Sequence, residues 1–353
     1  MYSNGPYFSI LCWIATLAIA CSRPAFAGDT TQALSLDDAT IHRTVAKIAA
    51  ELRAAYVFPE KGQLAAEAIE KSLATKTYDG VADPGELARR ITADLQSVTS
   101  DPHVRVLHGL PSPSQLAPPP PSDAGFERVD RLKGNIGYIR LSRFVPPQIF
   151  ADAADRAMRL VANTEALVID IRGNRGGHPA SVAYLTGFFL DPARPVHVNS
   201  IVWRNRGTSD FRTEAFWTRA TPTCYVDKPV YLLVGPETFS AGEEFAYDLQ
   251  VLGRATIVGG GTKGGANPGG PAPVGSDMFV VVPSGRAENP VTKGNWEGVG
   301  VQPNVRAAPE AALDTAMRLA LAGGKSAEGT KAFAHDDWLD APLLTIRSSP
   351  FDG

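Results

Sequence analysis

The chain has 353 residues, 44% of them apolar and 20% charged, with a formal net charge of −3. That length and apolar fraction are enough for an ordinary hydrophobic core and for more than one domain. A slightly acidic balance excludes the basic footprint of a nucleic-acid binder, and three cysteines are too few for a disulfide framework.

Residues 8–20 (FSILCWIATLAIA) form an apolar run of signal-peptide length, short for a bilayer span, and Ala25-Phe26-Ala27 supplies a small-x-small cleavage pattern. The sequence therefore predicts a signal peptide over 1–27 and an exported chain, periplasmic or extracellular. No Lys or Arg precedes Phe8, and Cys21 loosely resembles a lipoprotein acceptor, the one place where a lipid anchor would attach; cleavage after Ala27 is the preferred reading. It would remove Cys12 and Cys21 and leave Cys224 as the sole thiol, so no internal disulfide is expected. The remaining apolar runs are strand-length or interrupted, and no transmembrane helix is expected.

From Leu36 to Ser97 the apolar residues follow helical spacing: Ile41, Val45, Ile48 and Leu52, then Leu64, Ala68, Ile69 and Leu73, then Leu87, Ile91, Leu95 and Val98. Ser35 and Asp83-Pro84 read as helix starts. This predicts a helical subdomain over 28–110, closing on a turn at Ser100–His103 that leads into a strand. Pro111–Ser122 (PSPSQLAPPPPS) favours extended polyproline geometry, and 111–125 reads as a linker.

Beyond it, short β-rich segments alternate with helices. Strands are expected at Ile136–Leu141, Ala166–Ile171, Val196–Trp203, Val230–Val234 and Thr256–Val258, and helices at about Pro147–Val161 and Ala180–Leu190. Such alternation predicts an α/β sheet over 126–322 with functional residues on loops at strand ends. Residues 323–353 read as an irregular extension.

Two loops of this kind carry chemistry. Residues 231–248 (YLLVGPETFSAGEEFAYD) place Ser240 where a strand hands over to a helix, with Ala241 and Gly242 after it. The free N–H groups of the first turn at that point can receive the charge that develops when a serine attacks a carbonyl. Taken alone, the segment fits equally a helix cap, Glu243 completing a capping box with Ser240. In the second loop a strand runs into Asp170-Ile171-Arg172-Gly173-Asn174-Arg175-Gly176-Gly177-His178, whose glycines permit positive φ and close backbone approach. The spacing of Gly173, Gly176 and Gly177 does not make a dinucleotide-binding fingerprint; a tight turn needing glycine remains the plainer alternative.

The combination of DPHVRV (101–106), LVIDIRGNRGG (167–177), TFSAGEEFAYDLQVLGRATIVGGGTKGGANPG (238–269) and NWEGVGVQPNV (295–305) resembles the C-terminal processing, or tail-specific, serine peptidase family from about residue 36 to 320. It is most similar to the branch holding the repeats of interphotoreceptor retinoid-binding protein and, more distantly, to the tricorn protease core. The resemblance implies a mixed sheet with flanking helices, a crotonase- or Clp-like catalytic core preceded by a helical subdomain. It also implies that Ser240 is the nucleophile. In family members with a Ser-Lys dyad the lysine lies 25 residues beyond the serine, where this chain has Gly265; Lys263 is out of register. The tricorn-like arrangement, with a histidine from the N-terminal part and a glutamate near the C-terminal end, implies His103 and Glu297 instead.

A neutral imidazole, with an ordinary pKa of about 6.5, can take a serine proton and return it to a leaving amine, and Glu297 would orient it. For His103 alone a turn histidine bonded to nearby backbone is the bland reading, and for Glu297 a solvated surface carboxylate. The oxyanion hole is expected from the N–H of Ala241 with that of Gly176 or Gly177. His178, beside the glycine turn, is the rival base, though its position fits a substrate-loop role better, and Glu243 is assigned to the same loop. Adjacent helical carboxylates such as Glu243 and Glu244 diverge by about 100° and suit glycoside hydrolysis poorly. The six histidines form no metal-binding motif, so neither metal nor cofactor is expected. Thr238 breaks the G-x-S-x-G elbow. The interval before Ile136 leaves no room for a PDZ module. The expected activity is peptide hydrolysis on a peptide or protein substrate; the alternative is a non-catalytic module for a retinoid- or lipid-like ligand.

Overall fold

The computed structural model describes residues 36–109 and 123–323. The expected signal peptide, nearly all of the proline-rich linker and all but the first residue of the C-terminal extension lie outside the described residues.

Three helices come first: α1 (Asp38–Ala55), α2 (Pro59–Ala74) and α3 (Pro84–Thr99). Ser35, the expected first cap, lies outside the described residues, and Asp37 caps α1 by accepting the Thr40 N–H at 2.7 Å. Asp83 caps α3 through the Gly85 and Glu86 amides, with Pro84 at the tolerated first position. Ile41, Val45, Ile48, Leu52, Leu87, Ile91 and Leu95 are buried as the spacing predicts. On α2 the buried face is Gly62, Ala65, Ala66 and Ile69, and Leu64 is 55% exposed. The reason is close approach: a Cβ at Gly62 would stand 2.7 Å from the Leu52 carbonyl oxygen of α1, so the small-residue face of α2 turns inward and Leu64 turns out.

The chain continues through β1 (Arg105–His108), β2 (Phe126–Leu132), β3 (Ile136–Leu141), α4 (Pro147–Val161), β4 (Ala166–Asp170), α5 (Pro179–Gly187), β5 (His197–Arg204), β6 (Phe211–Trp217), β7 (Val230–Val234) and α6 (Ala241–Val251). It closes with β8 (Thr256–Gly259), β9 (Gly269–Gly275), β10 (Met278–Pro283), β11 (Gly285–Glu288), β12 (Val305–Arg306) and α7 (Ala312–Gly323). A six-stranded mixed sheet has the order β12-β8-β7-β4-β3-β2, parallel except where β2 pairs with β3. Side chains alternate across it: Ile139, Leu167, Ile169, Leu232 and Val234 join α4, α5 and α6 on one face. Tyr138, Val168 and Leu233 join α7 on the other.

Two smaller sheets flank this layer, β1-β10-β9 and β11-β5-β6. β1 pairs with β10, and Val274, Met278, Val280 and Val282 of the β9–β10 hairpin fill the core under α1–α3. The N-terminal helices are thus completed by strands from the far end of the chain. β9 reads GGPAPVG, which carries no strand pattern; it survives as an edge strand, where prolines need not donate to a ladder. Among the described residues no helix is long and apolar enough to cross a membrane.

The inverted face of α2 gives the first prediction. Ile69→Ala should lower stability by about 2–5 kcal/mol through cavity formation, whereas Leu64→Glu should stay within about 0.5 kcal/mol. Urea unfolding of the two variants checks it; a Leu64→Glu loss as large as that of Ile69→Ala would contradict the assigned face.

Candidate active site

Neighbouring parallel strands β4 and β7 end side by side, which brings their two loops together at the carboxyl edge of the sheet. β4 is anchored by Asp170, whose carboxylate accepts from the Arg172 guanidinium and from the Tyr138 hydroxyl at 2.9 Å. Beyond β7, Ser240 caps α6 with φ 54° and ψ −123°, a backbone state that a residue with a Cβ adopts only when its surroundings enforce it. The enforcing contacts are specific. Thr238 Oγ1 donates to the Ile171 carbonyl (2.9 Å), the Phe239 N–H to the Asn174 carbonyl (2.9 Å), and the Ser240 N–H to Glu243 Oε2 (2.8 Å).

Gly176 has φ 103°, and a Cβ there would stand 2.8 Å from Ser240 Cβ and 3.1 Å from the Ala241 nitrogen. Its glycine is required twice over, by dihedral and by space. Its N–H, however, already donates to Asn174 Oδ1 at 2.8 Å. The N–H groups of Ala241 and Gly177 have no acceptor among the described residues, whereas that of Gly176 is taken.

His103 follows the end of α3 in a turn built on Asp101. That carboxylate accepts from the His103 N–H (2.9 Å), the Tyr56 hydroxyl (3.0 Å) and Asn267 Nδ2 (3.0 Å). Burial works against its charge, but the His103 and Asn267 side chains and the His103 amide outweigh burial and hold the carboxyl below its ordinary value. The ring is buried, 4.4 Å centroid to centroid from Phe239, the residue before Ser240. Neither ring nitrogen makes a hydrogen bond, so the side chain is not the backbone-bonded turn histidine of the plainer reading. For the same reason no Ser240–His103 hydrogen bond is formed in this structure.

A side chain at position 265 has nowhere to go. A Cβ on Gly265 would lie 2.2 Å from the Phe239 ring and 2.7 Å from His103 Cε1. The imidazole fills the space into which a dyad lysine would project, and Lys263 instead lies exposed with Nζ 5.0 Å from the Phe239 centroid.

Glu297 meets the same cluster. Oxygen atoms of Glu297 and Asp101 and a His103 ring nitrogen lie within 4.8 Å of one another, and Asp101 Oδ1 is 3.7 Å from His103 Nδ1. Glu297 Oε2 accepts the Ala266 N–H at 2.5 Å, while Oε1 is buried without a partner. Burial first, and the Asp101 charge second, push its carboxyl up to about 8. These three side chains are the donor types a cation would use. Protein donors already take up the Asp101 oxygens and Glu297 Oε2, and Glu297 Oε1 and the His103 ring nitrogens are the atoms of the cluster without a partner.

Glu243 is not at the substrate loop as expected. It is fully buried and accepts from Ser240 N–H, Thr262 Oγ1 (2.5 Å), Gly264 N–H (2.6 Å) and Gly265 N–H (2.9 Å). Burial pushes its carboxyl up, against the pull of those donors. Glu244 diverges from it and lines a cleft of about 240 Å³ that also meets Ser240, Ala241, Gly177 and His178. His178 is exposed on the rim, its Nδ1 accepting the Ala180 N–H as the cap of α5. Sequence reasoning missed Asp101, although its place two residues before His103, ahead of a proline, was the available signal; it also missed Asn174, which ties the two loops together.

Residues 135–307 match the model of peptidase family S41, and residues 29–130 match the model described as the N-terminal domain of that peptidase in eukaryotic IRBP. The two matches span more than three quarters of the chain, which belongs to peptidase family S41 and is a serine-type peptidase. Among solved structures it is similar to a candidate peptidase from Parabacteroides merdae ATCC 43184, at 17% identity and TM-score 0.60 over 82% of this chain and 99% of that one. It is also similar to a lipoprotein from Streptococcus agalactiae, at 13% identity and TM-score 0.55 over 80% and 96%. At these identities the likeness shows the shared α/β fold.

Two predictions arise from the cluster. In the folded protein Glu297 keeps its proton up to about 8 and in the unfolded chain only to 4.5, so the folded state binds the extra proton across that window and this group makes stability fall as pH rises through it. Melting at pH 5 and pH 8.5 should show a smaller fall in Glu297→Gln than in wild type; equal falls would mean that the carboxyl is not so raised. Separately, Gly265→Ala should displace His103 or Phe239 and cut kcat at least tenfold. Full activity with a crystal structure showing an unmoved ring would disprove the steric argument.

Proposed function

We propose that the chain is an exported serine peptidase that cleaves peptides or protein tails through an acyl-enzyme at Ser240, with His103 as general base and Glu297 and Asp101 as the carboxyls that position and balance it. The observation that carries this is the His103 ring seated against Phe239, next to Ser240, with both nitrogens unclaimed. Substrate binding brings the imidazole from its stack on Phe239 to the hydroxyl, a contact that commonly tightens only in the Michaelis complex.

Ser240 Oγ bonds to the scissile carbonyl carbon as its proton passes to His103. The carbonyl electron pair moves onto oxygen, held by the Ala241 and Gly177 amides. Collapse breaks the C–N bond, the amine leaves with the proton from His103, and water repeats the route to release the acid. Asp101, kept ionised, faces the imidazolium. Glu297, with its carboxyl raised to about 8, is neutral at pH 7, so one carboxylate charge rather than two acts on the ring. Export rests on the apolar run and cleavage pattern of residues 8–27. The cleft, about 240 Å³, is below the roughly 300–1,000 Å³ usual for small-molecule sites, which favours a peptide side chain over a retinoid-sized ligand.

The test is kinetic. Ser240→Ala should abolish peptide hydrolysis and fluorophosphonate labelling with the fold intact, and His103→Ala should lower kcat by about 10²–10⁴. Lys263→Ala should change kcat less than about tenfold. A large loss in the lysine variant beside an active His103→Ala would reverse the choice of base, and unlabelled wild-type protein would favour the binding module.

A further inference from the structure

The cleft beside Ser240 has a floor that the reaction does not use. Glu244 lies four residues beyond Ser240, on the same face of α6; it is 4% exposed, lines the cleft, and its Oε1 is buried without a hydrogen-bond partner. One turn further, Asp248 is fully buried, with Oδ1 accepting from Asn289 Nδ2 at 3.2 Å and Oδ2 unpartnered. Across from them on β5, Asn199 is fully buried; its amide faces the Glu244 carboxyl and draws it down, yet neither amide atom reaches hydrogen-bond geometry. Buried polar atoms are rarely left unpaired, because each costs the desolvation of that group.

The walls above this floor are apolar. Ile201 and Trp203 project from the same face of β5 as Asn199, with Phe216, Ala287 and Trp296 beside them. At the mouth, Glu214 of β6 stands opposite Ile201 and accepts from Trp203 Nε1 at 2.9 Å. No lysine or arginine lines the cleft among the described residues, and His178 on the rim is its one basic side chain. The Arg212 guanidinium lies 5.5 Å from the Trp203 ring centre beside Glu214, so the mouth carries both signs of charge; the apolar and aromatic shaft and the acidic floor fit a long side chain with a methylene stem and a cationic head.

We propose that this cleft is the specificity subsite for the residue whose carbonyl Ser240 attacks, and that it selects lysine or arginine through Glu244, backed by Asp248. The assignment to the acyl side follows from position, since the cleft is continuous with Ala241 and Gly177, whose amides would hold the acyl oxygen. The proposal rests on the peptidase reading of Ser240. An unpaired carboxyl buried at the end of an apolar shaft discriminates by leaving its charge or proton unsatisfied when the wrong side chain enters. Burial raises the Glu244 carboxyl above its ordinary value, and a cationic head would drive the proton off and supply a partner.

The experiment compares kcat/KM for one peptide carrying lysine, arginine, norleucine or glutamate before the scissile bond. Lysine or arginine should exceed norleucine at least tenfold and glutamate by more. In Glu244→Gln the lysine-to-norleucine ratio should collapse to within about twofold. A wild-type preference for norleucine, or a lysine preference that survives in Glu244→Gln, overturns the subsite. Tryptophan fluorescence titration of Ser240→Ala with the same peptides reads the subsite without turnover and should rank lysine and arginine above norleucine; equal affinities also overturn it. Failure of the peptidase reading would show differently, as absence of fluorophosphonate labelling and of hydrolysis across all four peptides.

Discussion

The Ser240 backbone is the constraint on which the site depends. Its left-handed φ turns the residue out of the line of β7 and into the cleft, and three loops are committed to holding it there. Asn174 binds the glycine turn to the Phe239 amide and to the Leu141 carbonyl, so β3, β4 and the elbow share one anchor. Glu243 binds the Ser240 amide to the 262–265 loop. A buried carboxyl with four donors is rigid because losing any donor leaves a lone pair unsatisfied. The same carboxyl therefore fixes the position of Gly265 against Phe239 and His103.

Charge around His103 is arranged by the same logic. Asp101 and Glu297 are close enough to repel, and the fold resolves the conflict unevenly. Asp101 receives Tyr56, Asn267 and the His103 amide and stays ionised, while Glu297 receives a single amide and holds its proton. Two carboxyls thus present one charge to the ring at neutral pH. Tyr56 and Asp101 come from the helical part and Asn267 and Glu297 from the sheet part, so the cluster also locks the β1–β10 junction over which α1–α3 are packed.

Much of this was legible in the sequence, and its omissions have physical causes. β3 and β7 lie where apolar runs place them, because strands buried on both faces advertise themselves by composition. β2, β6 and β9 to β12 were not predicted: β9 is masked by its glycines and prolines and β6 by its exposure, whereas the apolar run of β10 was a signal the sequence did carry. The loops holding Ser240 and Gly177 could be placed at adjacent strand ends because strand-to-helix turns and glycine runs are local signals. Glu243 was misplaced, since burial of a polar side chain is decided by partners twenty residues away. Asp101 was passed over for the same reason: its donors at 56 and 267 are invisible until the chain folds.

The absence of a lysine at position 265 follows from the packing as well as from the sequence. In the folded chain the volume a lysine would need is taken by the Phe239 and His103 rings, and α3 delivers His103 there through a turn fixed by Asp101. The imidazole and a side chain at residue 265 are therefore alternatives for one space: glycine admits the ring, and any larger residue would crowd it. The N-terminal helices, whose core is completed by the β9–β10 hairpin, thus bear directly on the cleft, since the turn that follows α3 sets the His103 ring against Phe239, next to Ser240.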